Sequence, residues 1–139
     1  MDDEDLRKYM HNSLVESSLM FVRKTVEFFM PMPKEPNGYP DNIYAYHYRG
    51  YSGSKWLLSD DDRSELNKRV GHVTVAEVRH GKLDWPLKEW VLMCLGQWIE
   101  FFKVMSGIPS ELNPDRQPQC IRNARRLSEL RDLVRLQKE

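Results

Sequence analysis

The side chains best able to move a proton near neutral pH gather at residues 64 to 81, S-E-L-N-K-R-V-G-H-V-T-V-A-E-V-R-H-G. Were this run helical through Arg79, then Glu65, Lys68, His72 and Arg79 would share one face, because seven residues make almost two turns. A histidine between basic groups could hold a phosphate, and its imidazole could exchange a proton. His72, Arg69 and Arg79 are therefore the catalytic candidates. The competing reading is architectural: basic residues and histidine near a helix carboxyl end complement its dipole and can bond its last carbonyls.

A second concentration lies at residues 39 to 56, where Tyr39, Tyr44, Tyr46, Tyr48, Tyr51 and Trp56 surround His47 and Arg49. Aromatic faces at this density could stack bases or line a cleft for a small ligand. This makes Tyr44, Tyr46, His47, Tyr48, Arg49, Tyr51 and Trp56 the binding candidates. Tyrosines in a connecting segment also cap bundle cores while keeping their hydroxyls wet.

These residues need helices to hold them. Residues 2 to 30 contain no Pro or Gly, and Leu6, Met10, Leu14, Phe21 and Phe28 recur at helical spacing after an acidic start. Val15, Leu19, Val22, Val26 and Phe29 form a second line beside the first, so the apolar arc covers well over half the circumference. His11 falls inside that arc, and Asn12, Glu16, Arg23 and Glu27 form the polar strip. The proline-rich run from Pro31 to Pro40 ends the helix.

Ser59 followed by three aspartates predicts the start of a second helix. Leu66, Val70 and Val73 form its inward stripe, and Gly71 with the β-branched residues places its end between Val73 and Glu77. A third helix follows Asp84 and Pro86, carries Leu87, Trp90, Val91, Cys94, Leu95, Trp98, Phe101, Phe102 and Met105, and closes at Gly107 and Pro109. Only a narrow line of Glu89, Gly96 and Lys103, with Glu100 nearby, is polar. Such a helix belongs at the middle of a fold or in a subunit interface. After a linker with three prolines, Cys120, Ala124, Leu127, Leu130 and Val134 mark one side of a last helix, and Arg122, Arg125, Arg126, Arg131 and Arg135 give it a positive bias.

The reading is an all-α bundle of four or five helices with a long Tyr/Pro-rich connection after the first. One domain spans 1–139, with the core bundle in 1–108 and a linker plus amphipathic helix in 109–139. The wide arcs of the first and third helices call for cover from another surface, expected to be a second copy meeting Leu14, Phe21, Phe28, Trp90, Trp98 and Phe102. The expected role is binding or assembly as a homodimer.

Composition narrows the partners. Twenty-one basic and 21 acidic side chains cancel, so no global field draws the chain onto nucleic acid or an anionic membrane. The arginines of the last helix could neutralise RNA phosphates, but acidic residues dilute them and no aromatic is interleaved. The amino terminus lacks a secretory signal pattern and no stretch is long and apolar enough to cross a bilayer, so a cytoplasmic protein is expected. Cys94 and Cys120 lack C-x-x-C spacing, and His72 and His80 have no ligand cluster at metal spacing. No metal or cofactor is expected. Phosphate-loop, dinucleotide and nucleophile-elbow motifs do not occur.

Three features together resemble uncharacterised small helical proteins related to the HEPN superfamily: F-V-R-K-T-V-E-F-F at 21–29, L-N-K-R-V-G-H-V-T at 66–74, and the tryptophan-bearing helix that follows. The resemblance spans about residues 14 to 105. It implies a bundle of four or five helices, often dimeric, and an alternative function as a metal-independent, toxin-like ribonuclease or RNA-binding protein. The family signature is an arginine, four to six residues, then a histidine. This chain departs from it: Arg63 is too far from His72, Arg69 too near, and Arg79 adjoins His80. His72, with Arg69 beside it, is what the resemblance carries over.

Overall fold

The computed structural model describes residues 2–35, 42–69, 86–110 and 112–137. Among them are four α-helices and no strand: α1 (Asp3–Phe28), α2 (Asp60–Arg69), α3 (Leu87–Ser106) and α4 (Arg116–Leu136), with a single 3₁₀ turn at Ala45–His47. The described residues are all-α, as the chain's periodicity predicts.

Local chemistry sets the helix starts. The Asp2 carboxylate accepts the Asp5 amide at 2.8 Å, and Asp3, Glu4 and Asp5 occupy the positive first turn of α1. Ser59 caps α2 in the same way, its hydroxyl accepting the Asp62 amide at 3.2 Å. Arg63 then ties down the approach to α2. It donates to the Leu58 carbonyl at 3.0 Å, pairs with Asp60, and lays its guanidinium 3.7 Å from the centre of the Trp56 ring.

The most apolar helix, α3, lies in the middle, packed by α1 on one side and α4 on another. It forms an antiparallel hairpin with α4: Lys88 donates to the Gln137 carbonyl at one end, and Gln117 donates to the Ser106 carbonyl at 2.9 Å at the other. Small residues at the seam, Cys120 and Ala124, are the buried ones of α4. Leu127 and Val134 are half-buried beside them. The expected inward Leu130 is instead 45% exposed, and Arg131 occupies that stripe with its Nε buried and unpartnered.

Helix α1 runs parallel to α3. Leu19, Val22 and Val26 share a cluster with Trp90 and Cys94, and Phe29 joins Phe101 and Met105 further along. This register sets residues before Val15 ahead of the first turn of α3. No residue of α1 before Leu19 is buried, and His11, expected within a covered arc, is exposed. The second half of α1 ends in a dense aromatic core. Phe28 stacks on Trp98 at 4.6 Å, while Phe29 and Phe101 meet edge to face at 5.8 Å.

Candidate functional site

His72 and Arg79 lie outside the described residues, and so does Tyr39. Arg69 is the last residue of α2.

The structure distributes the aromatic segment among several places. Tyr44 and Tyr46 stack at 5.1 Å, and the His47 ring meets Tyr46 at 4.5 Å. His47 Nδ1 accepts the Tyr44 amide at 3.0 Å, so the neutral imidazole carries its proton on Nε2. Asn42 donates to the Tyr44 hydroxyl at 3.2 Å, closing this small cluster on the 3₁₀ turn. Tyr48 and Tyr51 instead turn into the bundle, each meeting Phe101 edge to face at 5.2 and 5.0 Å. Arg49 is exposed, and Trp56 lies under Arg63. The seven binding candidates therefore do not converge on one cleft.

One of them does border a cleft. The extended stretch 51–55 borders an open cleft of about 470 Å³ whose lining also includes Gln97, Glu100 and Val104 of α3. Two backbone bonds anchor its ends: the Tyr51 amide donates to the Tyr48 carbonyl at 3.1 Å, and the Lys55 amide donates to the Phe29 carbonyl at 2.8 Å. Gly50 makes the preceding turn at φ 88°, a conformation unfavourable to other residues. Gly53 is required by space, since a Cβ there would stand 2.6 Å from the Tyr51 hydroxyl.

The Tyr51 hydroxyl accepts from Gln97 Nε2 at 2.8 Å. Burial raises its pKa, the Gln97 bond opposes that rise, and the Glu100 charge adds to it, so the phenol stays protonated at neutral pH. Lys55 and Glu100 are both exposed at the rim, and no ion pair joins them among the described residues. Ser54 Oγ is buried with no hydrogen-bond partner.

Gln97 and Glu100 were not among the sequence-based candidates. Their signal was present, as a polar pair three residues apart on an otherwise apolar helix, but it equally describes a solvated strip. Which loop would cover the pair is a long-range matter.

The expected interface residues also separate. Leu14 is 66% exposed; Phe21, Phe28, Trp98 and Phe102 are half-buried; Trp90 is buried against α1. Exposed apolar side chains recur at Leu6, Tyr9, Met10 and Leu14 on α1 and at Ile121, Leu130, Leu133 and Leu136 on α4, while Met20, Met32, Ile43, Trp56 and Leu112 are exposed at scattered positions. Asp2, Asp3, Glu4 and Asp5 precede the first set, with Arg7 and Lys8 inside it; Arg122, Arg125, Arg126 and Arg135 accompany the second, with Glu129 and Asp132 among them.

No group of three or more potential metal ligands occurs among the described residues, and no described helix is long and apolar enough to cross a membrane. Compared with protein-family models, curated proteins and solved structures, the chain matches none of them.

Proposed function

We propose that this protein is a helical assembly module that pairs with a second copy of itself, the amino-terminal half of α1 lying on the carboxyl-terminal half of α4 in the partner. The observation that carries this reading is the exposure of Tyr9, Met10 and Leu14, at 65, 56 and 66%, on a helix whose buried residues, Leu19, Val22, Thr25 and Val26, all lie in its later turns. Apolar side chains recurring from Leu6 to Leu14, about two and a half turns, on an uncovered face mark an interaction surface.

A second copy is the favoured occupant because one chain carries both complementary surfaces. The α1 face is apolar with a net acidic start, Asp2 to Asp5 outweighing Arg7 and Lys8, and the α4 face pairs exposed leucines with arginines that outnumber Glu129 and Asp132. A two-fold axis satisfies both contacts at once, each α1 meeting the partner's α4, and closes the assembly at two chains. Charge complementarity sets the register, and burial of the apolar side chains supplies the affinity.

Sedimentation equilibrium at tens of micromolar tests this directly, with a dimer expected for the wild type. Met10→Glu and Leu14→Glu place carboxylates on the apolar face without touching a buried residue, and each should give a monomer with an unchanged helical circular-dichroism spectrum. A wild-type monomer under those conditions would overturn the reading.

A further inference from the structure

The cleft between stretch 51–55 and α3 is separate from both apolar faces, and its chemistry is of another kind. The residues that line it carry a cation, an anion, an amide and hydroxyls around a volume at the small end of the ~300–1,000 Å³ typical of ligand pockets. Lys55 and Glu100 border the same space without pairing, so each charge is available to something between them. A simple anion entering the cleft would meet Glu100, and a simple cation would meet Lys55. A molecule carrying both charges satisfies both walls.

The stretch itself favours an oxyanion on its side. Among the described residues no backbone hydrogen bond uses the amides of Ser52, Gly53 or Ser54, although the flanking amides of Tyr51 and Lys55 are both engaged. An amide without a backbone acceptor beside a lysine can donate to a carboxylate, and because amides alternate sides along an extended stretch, either Gly53 or the Ser52 and Ser54 pair would serve it. The unpartnered Ser54 hydroxyl adds another donor once its side chain turns toward the cleft that residue 54 lines. Across the cleft, Glu100 and the Gln97 amide oxygen are acceptors suited to an ammonium group.

We propose that this cleft binds a free α-amino acid, its carboxylate held by Lys55 and the 52–54 donors and its ammonium group held by Glu100 and Gln97. The ligand lies against the Tyr51 hydroxyl, whose position the Gln97 bond and Gly53 fix.

The test is a proton–nitrogen NMR titration of the full chain with each proteinogenic amino acid in turn at millimolar concentration. At least one should shift the signals of residues 51–55 and 97–104 in a saturable way. Lys55→Met and Glu100→Gln change exposed side chains, and each should weaken that binding by about tenfold or more while leaving the thermal transition in place. The N-acetylated and the decarboxylated forms of the bound amino acid should each fail to saturate the site. The proposal is overturned if no amino acid shifts these signals, if either one-charge form binds as well as the parent, or if both variants bind like the wild type.

Discussion

Trp98 donates its indole N–H to the Thr25 hydroxyl at 2.9 Å, a polar clasp between α3 and α1 set inside an aromatic core. Thr25 is 1% exposed, so its hydroxyl has no water to fall back on. Thr25→Val keeps the shape and leaves the indole N–H without its partner. We expect a loss of about 1–3 kcal/mol, read from urea denaturation with unchanged m-value.

Cys94 lies against the same threonine, fully buried. Burial pushes its thiol from an ordinary value of 9.0 up to about 12, with a Thr25 hydrogen bond acting weakly in the other direction. Below pH 9 the thiol is protonated folded and unfolded, and it has no influence on the pH dependence. Between 9 and about 12 the unfolded thiol ionises while the folded one does not, so stability falls as pH rises. Denaturation of wild type and Cys94→Ala across that window should show a steeper fall for the wild type, by at most roughly 1.4 kcal/mol per pH unit. Parallel curves would show that the thiol ionises as easily inside the bundle as outside.

Gly53 makes room for the Tyr51 ring, which is held between Phe29 and Phe101 and cannot withdraw. Gly53→Ala should therefore cost about 1–3 kcal/mol by overpacking and displace the Tyr51 hydroxyl from Gln97. Thermal melting measures the first effect, and the Gln97 side-chain amide signals in NMR report the second.

Arg131 stands where the α4 stripe meets α3, and its buried Nε has no partner. Arg131→Met retains much of the aliphatic packing and removes the unsatisfied donor. The variant should be more stable by about 1 kcal/mol, seen as a higher urea midpoint. An equal or lower midpoint would mean that the rest of the guanidinium contributes more than the orphaned nitrogen takes away.

The legible part of this fold is the part decided within a few residues. Asp2 and Ser59 cap their helices because a short acceptor side chain precedes a run of free amides, and that pattern is local. Helix α3 lies between α1 and α4, as its nearly continuous apolar circumference demands. The wide arc on α1 was legible as a surplus, but its location was not. The parallel register against α3 engages Leu19 to Phe29 and leaves Leu6 to Leu14 outside, and no periodicity encodes that offset. Likewise, the spacing of Cys120, Ala124, Leu127 and Leu130 fits a stripe, yet the actual crossing of α4 rotates Leu130 out and Arg131 in. Tyr51 was legible as an aromatic that could border a site; its partners Gln97 and Glu100 come from a helix some 46 residues away.

The offset between α1 and α3 leaves roughly 18 Å of helix, at 1.5 Å per residue over positions 3–14, ahead of the packed bundle. Because no buried side chain belongs to that length, substitutions there leave the hydrophobic centre its shape. The turns on which the proposed pairing rests and the turns that build the core are thereby different stretches of one continuous helix.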